Sequence, residues 1–233
     1  MSPSPDSSAR RSFLSRLAAG TAAFGAALAA GSTPLQAMTG REEFKPTRHP
    51  QDDWFDQIPG KHRMFFDTIT PNGAAEGLTF ANNYAVANKA GYGLEGADLA
   101  IVICYRHWAT PFAFNDAVWA KYGAAWGKAT NFNDPATNAP PVRNVWNAKG
   151  LPGRQPNRGL TVEMAVARGW HFAVCDLAAR AFAGLAARPG GPTTDEIYAE
   201  LKQSTLGNAH FTAAGIVAVD RAQERGYSYS YIG

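Results

Sequence analysis

The amino-acid sequence predicts an α/β fold, a single doubly wound, mostly parallel five-stranded sheet with helices on both faces. Short, continuous apolar runs such as residues 99–104 are typical of strands that are covered on both faces. Helical patterns separate these runs, and this alternation indicates parallel strands joined by right-handed crossovers. About 195 residues follow the N-terminal segment discussed next, which is enough for one hydrophobic core.

Residues 1–37 have the pattern of an export signal rather than of a folded domain. Arg10-Arg11 is followed by Ser12-Phe13-Leu14 and by an apolar run over residues 17–30 that is rich in Ala and Gly. The run is roughly 14 residues long, too short to cross a ~30 Å hydrocarbon core. The pattern resembles a twin-arginine signal peptide, which carries folded proteins to the periplasm, and it is less typical of an amphipathic helix. Small residues permit cleavage before either Gly31 or Met38.

Composition limits the kinds of partner that the exported part can have. Residues 1–37 hold Arg10, Arg11 and Arg16 against Asp6 alone, so the net charge of +3 falls to +1 without them. No run of Lys and Arg remains to follow a phosphate backbone, which argues against nucleic acid. We expect a small-molecule or sulfur-species ligand, a possible protein partner, and no permanent membrane span.

The first half of the exported chain begins with a polar, extended lead-in at residues 38–61, and the α/β domain occupies residues 62–233. Apolar runs followed by turn residues predict strands, and apolar residues at helical spacing predict helices. Gly91 ends the first helix, and Pro111 suits the first position of the second. The predicted elements are a strand at 64–69, a helix at 74–90, a strand at 99–104 and a helix at 112–122.

An insertion at residues 124–158 interrupts this alternation. It is rich in Asn, Pro and Gly, and it also contains Trp126, Phe132, Val145, Trp146 and Leu151. A loop of this length inside a compact domain is usually functional. The embedded apolar side chains favour an ordered lid or a contact in a homo-oligomer over a solvated linker, and we expect them to be buried.

The second half resumes the alternation and ends at a sheet edge. Residues 214–219 form a continuous apolar run and are predicted to be the fourth strand, while residues 227–232 alternate and are predicted to be the last, at an edge. The full set is a helix at 160–168, a strand at 170–175, helices at 177–187 and 194–204, a strand at 214–219, a helical turn at 220–225 and a strand at 227–232.

Ligands of open α/β sheets bind beyond the carboxyl ends of the strands. The segments that follow the predicted strands are residues 68–72, 104–107, 175–176 and 220–221. Both cysteines of the chain, Cys104 and Cys175, and also His107, therefore fall on the predicted ligand edge.

Three segments resemble the DsrE/DsrF-like sulfur-relay family of bacteria, over a match that extends from Arg63 to Ile232. They are Ile103-Cys104-Tyr105-Arg106, the run from Phe172 to Arg180 around Cys175, and the run from Ala213 to Val219. The resemblance implies a DsrE-like fold of the flavodoxin-like kind. It also implies that Cys175 carries a persulfide and passes sulfur to a partner.

Cys175, Cys104, His107 and Arg106 are the candidate catalytic residues. A thiol at a helix N-terminus, as predicted for Cys175, gains partial positive charge and N–H donors that favour the thiolate. Arg106 and His107 are suited to stabilise an anion or to transfer a proton. The alternatives are that both cysteines are inert core residues, and that Arg106 pairs with a structural carboxylate such as Asp67 or Asp220.

Cofactors are left open by the sequence. Thiolate and imidazole ligands suit zinc or copper, but the spacing of Cys104, His107 and the distant Cys175 is not diagnostic of a metal site. Cys-x-x-Cys-His and Gly-x-Ser-x-Gly are both absent. The alternative to sulfur transfer is a non-enzymatic binding or assembly subunit in which the cysteines are inert.

The common strand order 2-1-3-4-5 leads to a further expectation about the two thiols. It places the second and third strands on either side of the first, about 9.6 Å apart. This exceeds the ~7 Å limit for the Cα atoms of a disulfide. We therefore expect Cys104 and Cys175 to remain free thiols at one edge of the sheet.

Overall fold

The structure is a computed structural model of the chain, and it describes residues 45–233. The predicted signal peptide at residues 1–37 lies outside the described residues, as does the first part of the lead-in. The predicted fold class is confirmed, because residues 47–233 form one unit around a single five-stranded sheet in which all neighbouring strands are parallel. The strands are β1 (His62–Thr68), β2 (Leu99–Tyr105), β3 (His171–Cys175), β4 (Ala209–Thr212) and β5 (Ser228–Ile232).

Helices cover both faces of this sheet, as the alternating pattern predicts. The α-helices are α1 (Trp54–Gln57), α2 (Pro71–Tyr92), α3 (Asp116–Thr130), α4 (Val162–Ala167), α5 (Asp176–Ala186), α6 (Thr194–Gln203) and α7 (Gly215–Gln223). Short 3-10 helices occupy Pro50–Asp52, Gly96–Asp98, His107–Ala113 and Val145–Asn147. None of the helices within residues 45–233 has both the length and the apolar composition that crossing a membrane requires.

The strand order is β4-β3-β2-β1-β5, so the expected order 2-1-3-4-5 is wrong. Each strand from β1 to β4 is added on the same side of its predecessor. Right-handed crossovers then put the connecting helices α2 to α6 on one face, where they bury the larger core cluster. The chain must cross the whole sheet to reach β5, and it does so on the other face through α7. That face carries the second cluster, which includes residues of α1.

The predicted fourth strand at residues 214–219 is also wrong. This segment belongs to α7, and the strand at this place in the chain is the short β4. The buried residues of α7 are Gly215, Ala218 and Ala222, which recur at helical spacing, whereas Ile216 is exposed. A short apolar run fits a strand or a helix equally well, and here the small residues face the sheet because they allow close packing. Residues 220–221 therefore follow no strand and do not lie at the ligand edge.

The predicted burial of the insertion is confirmed. Trp126, Val145 and Trp146 are buried in the larger core cluster, and Phe132 and Leu151 are partly buried against it. The insertion nevertheless begins later than predicted, because α3 continues to Thr130. The helix predicted at 112–122 is divided in two: Pro111 lies inside a 3-10 helix, and α3 begins only after the cap Asn115.

The two ends of the described chain complete the fold. The lead-in is not extended throughout, since Trp54 and Phe55 of α1 are buried against the second face. The prediction that the last strand lies at a sheet edge is confirmed, because β5 pairs only with β1 in the part of the chain that the structure describes.

Candidate functional site

Five side chains lie together where β1, β2 and β3 end, and we call them the carboxyl-edge site: Asp67, Cys104, Arg106, Cys175 and Tyr229. In the register of the sheet, Asp67 of β1 is paired with Cys104 of β2, and Cys104 is paired with Ala173 of β3. Ala173 is two residues before Cys175. Because side chains alternate between faces along a strand, all five residues belong to the face that carries α7. The other neighbour of β1 supplies Tyr229, which is level with Phe65.

Asp67 is the centre of the polar part of this site. The carboxylate is completely buried, and it accepts hydrogen bonds from Arg106 Nε at 2.6 Å and Arg106 Nη2 at 2.8 Å. Tyr229 donates its hydroxyl hydrogen to the same carboxylate at 2.9 Å. The hydrogen bonds to Asp67 raise the pKa of Arg106 above its usual value. The alternative prediction that Arg106 pairs with a structural carboxylate is thus confirmed, with Asp67 as the partner.

Gly215, the first residue of α7, allows Arg106 to lie in this position. A Cβ atom on Gly215 would be 2.3 Å from Arg106 Cβ and 2.6 Å from Arg106 Cδ. Non-bonded carbon atoms do not approach this closely, so any larger residue would displace the arginine. The preceding residue, Ala214, offers no side-chain cap to α7. The first N–H groups of this helix therefore lie beside the stem of Arg106.

Cys175 lies at the end of β3 and is the N-cap residue of α5, as the sequence predicts for a residue between a strand and a helix. Its Sγ atom accepts a hydrogen bond from the backbone N–H of Ala178 at 3.4 Å. The residue is 7% exposed. A cap position stabilises negative charge on sulfur through the N–H groups and the dipole of the helix.

Asp176 follows Cys175 directly, and its negative charge is compensated on the side of α6. Its Oδ1 atom accepts a hydrogen bond from the Tyr198 hydroxyl at 2.6 Å and one from Lys202 Nζ at 3.0 Å. Burial and the hydrogen bond to Asp176 raise the pKa of Tyr198 to about 12. These contacts weaken the repulsion that Asp176 would otherwise exert on a thiolate at Cys175.

Cys104 differs from Cys175 in its surroundings. It is completely buried, and burial, followed by the negative charge of Asp67, raises the pKa of its thiol well above the usual value. Both cysteines are free thiols. Cys104 and Cys175 lie on the neighbouring strands β2 and β3 but are offset by two residues in register. Their Cα atoms are therefore about 8 Å apart, outside the ~7 Å range of a disulfide.

His107 is brought to the same edge but not into the polar cluster. It has a left-handed backbone with φ of 52°, begins a 3-10 helix and is exposed, with its ring against Trp108 at a centroid distance of 4.5 Å. Within residues 45–233 it makes no side-chain hydrogen bond. Of the four predicted site residues, the structure therefore groups Arg106, Cys104 and Cys175, and leaves His107 at the rim.

Sequence reasoning overlooked Tyr229 and treated Asp67 only as a possible structural partner. An aspartate inside the apolar run at residues 64–69 was a usable signal, because a buried carboxylate requires a partner. Nothing near Tyr229 pointed to Asp67, since the two residues are 162 positions apart.

A second polar cluster, between β3 and β4, was also overlooked. His171 Nδ1 and His210 Nε2 are 2.9 Å apart, and the indole of Trp54 stacks on His210 at 4.1 Å. Burial lowers the pKa of both imidazoles, to about 4 for His210, whose pKa is also lowered by His171. This pair lies on strands that end at the ligand edge but is not part of the carboxyl-edge site.

Comparison with the models of known protein families, with curated proteins and with solved structures finds no match for this chain. Membership of the DsrE/DsrF-like family therefore stays a prediction that rests on the segments quoted above. Within residues 45–233, no three His, Cys, Asp or Glu side chains come together as a metal-binding group.

Proposed function

We propose that this protein is an exported, DsrE-like α/β protein that binds a small ligand or sulfur species at its carboxyl-edge site, with Cys175 as the reactive thiol. The observation that carries the proposal is the position of Cys175. It is the N-cap of an 11-residue helix, with a backbone N–H on its sulfur and a small exposed surface. Cys104 has none of these features.

The chemistry would be a sulfur transfer between thiols. The Cys175 thiolate attacks the terminal sulfur of a persulfide donor, so that a new S–S bond forms at Cys175 while the S–S bond of the donor breaks. The donor leaves as a thiolate. An acceptor thiolate then removes the terminal sulfur from Cys175 in the same way, and no external oxidant or reductant is consumed.

Arg106 would hold the negative charge that this exchange requires. Asp67 uses its Nε and Nη2 groups, and Nη1 has no hydrogen-bond partner within residues 45–233. The side chain is 23% exposed, so the free Nη1 can reach an anion that enters at the edge. The buried carboxylate orients the guanidinium, and Gly215 leaves room for it.

A non-enzymatic binding or assembly subunit is the second candidate. Three apolar side chains are exposed near the site: Leu177 at 66%, Ile216 at 62% and Tyr231 at 51%. Leu177 is the second residue of α5 and Ile216 is the second residue of α7, so both lie at the same edge as Cys175. Exposed apolar groups that cluster in this way favour contact with another protein or with a second copy.

Thiol reactivity distinguishes the two candidates. We expect one thiol of the folded protein to react with a maleimide at neutral pH, and to retain one added sulfur atom, seen by mass spectrometry, after exposure to a persulfide donor. Cys175→Ser should abolish both, whereas the matched Cys104→Ser should retain both because Cys104 is inaccessible. If neither thiol reacts at a pH below ~8.5, the usual pKa of a cysteine thiol, the assembly subunit is the better explanation.

Export is tested separately. Replacing Arg10 and Arg11 by lysine should stop delivery to the periplasm, while the α/β domain at residues 62–233 still folds, because both arginines precede it in the sequence. Fractionation followed by immunoblotting measures this. An undiminished amount of periplasmic protein would contradict the twin-arginine prediction.

A further inference from the structure

A groove follows helix α2 on the face opposite α7, away from the carboxyl-edge site. It consists of three adjoining cavities of about 490, 280 and 470 Å³. The first two share Asn157 and Arg158, which end the insertion, and Gly159 directly after it; the last two share Asn82 and Arg168. The third ends at Leu99 and Trp170, close to the amino ends of β2 and β3. The two outer cavities have the size of small-molecule sites, about 300–1,000 Å³, and the middle one is slightly smaller.

The groove carries an excess of positive charge. Arg154, Arg158 and Arg168 line it, and within residues 45–233 no carboxylate is within 4.0 Å of any of them. The other two charged residues that line the groove, Lys89 and Glu95, form a salt bridge with 3.1 Å between Lys89 Nζ and Glu95 Oε1, so they add no net charge. Three arginines that share one groove without acidic partners repel each other, so an anion between them would be stabilised.

The walls of the groove are held in place before any ligand binds. The Thr79 hydroxyl of α2 donates to the carbonyl of Pro156 at 2.6 Å and fastens the insertion to the helix. Arg168 donates from Nη1 to Asn82 Oδ1 at 2.6 Å, and its guanidinium stacks over Trp170 at 5.4 Å. Its other N–H groups have no partner within residues 45–233. A pre-oriented guanidinium loses little freedom when it binds an anion.

The two ends of the groove differ in chemistry. Arg158 and Arg168 both line the central cavity, whereas the third cavity is bordered by Val86, Leu94 and Trp170. We propose that the groove binds a small organic anion, with a phosphate-type head group between Arg158 and Arg168 and an apolar body against Leu94 and Trp170. Guanidinium groups match the tetrahedral oxyanion through paired hydrogen bonds.

Calorimetric titration of the purified protein with inorganic phosphate and with hexyl phosphate tests this proposal. We expect hexyl phosphate to bind at least about tenfold more tightly, because its chain covers the apolar end. Arg158→Gln with Arg168→Gln should weaken binding by about tenfold or more. The matched control, Arg180→Gln with Arg188→Gln, removes the same charge at α5 and just beyond it, and should leave binding unchanged.

Three outcomes would overturn the proposal. They are equal affinity for the two phosphates, equal losses in the two double variants, and no binding of either compound at millimolar concentration. A parallel sedimentation assay uses vesicles that contain phosphatidic acid, a lipid with the same head group. If the protein sediments with these vesicles and the variant with both Arg158→Gln and Arg168→Gln does not, the groove binds a membrane lipid. That result would overturn the proposal that its ligand is a free small molecule. Thiol labelling of Cys175 should be unaffected throughout, since the groove and the carboxyl-edge site are separate.

Discussion

Removing Arg106 should destabilise the protein far more than removing an arginine of a surface ion pair. Arg106→Met leaves the completely buried carboxylate of Asp67 with Tyr229 as its one remaining side-chain partner among residues 45–233. Two hydrogen bonds to a charged group are lost, each contributing about 1.5–3 kcal/mol, and breaking a buried pair costs about 3–5 kcal/mol. We therefore expect the free energy of unfolding to fall by about 3–5 kcal/mol, and the melting temperature by about 6–20 °C.

Urea denaturation monitored by circular dichroism measures this change, with a constant m-value as the check that the denatured state is unaltered. Adding Asp67→Asn to Arg106→Met removes the unpaired charge and should restore about 2 kcal/mol. Arg180→Met is the matched control, because its partner Asp195 is 84% exposed, and it should cost no more than about 1 kcal/mol. The reasoning is refuted if Arg106→Met costs as little as the control, or if Asp67→Asn restores nothing.

Two other predictions concern the insertion and the histidine pair. Gly123→Ala would place a Cβ atom 2.2 Å from the carbonyl oxygen of Pro141. It should therefore lower the free energy of unfolding by about 1–2 kcal/mol and speed proteolysis of residues 131–161, the loop between α3 and α4. In the control Gly91→Ala the new Cβ atom meets nothing within 4 Å, so this variant should be neutral or stabilising by up to ~1 kcal/mol. Unchanged proteolysis in Gly123→Ala would argue against the close packing. Because the pKa of His210 is lowered to about 4 by burial and by His171, the unfolded state binds more protons, and stability should fall as the pH decreases from about 6.5 to about 4. The shift in pKa corresponds to about 3 kcal/mol of stability, which solvent screening of the half-exposed ring reduces to about 1–2 kcal/mol. His210→Gln should flatten the dependence of stability on pH. An equally steep loss of stability in the variant would assign that loss to other groups.

Local sequence patterns were sufficient for several of these features. The continuous apolar run at residues 99–104 identifies β2 because a strand covered on both faces has no polar side. Cys175 is found between a strand and a helix because the period of the apolar residues changes there. The alternating pattern at residues 227–232 likewise indicates an edge strand, since one of its sides meets solvent.

Other features depend on packing between distant segments. The run at residues 214–219 has no local preference between strand and helix, and α7 forms because its small residues fit against the sheet on the way from β4 to β5. The true β4, Ala209–Thr212, is short and half-buried, so its pattern is weak. Right-handed crossovers determine which face a helix covers, but not on which side of β1 the last strand is added.

The sequence by itself determined the parallel α/β class, the burial of the insertion and the position of Cys175 at the end of a strand, because each follows from the order of apolar and polar residues along a short segment. Only the tertiary structure decided the strand order, the pairing of Arg106 with Asp67 and Tyr229, and the contrast between the two cysteines. These features depend on which segments become neighbours, and neighbours in the sheet are selected by the total burial of the core rather than by any local pattern.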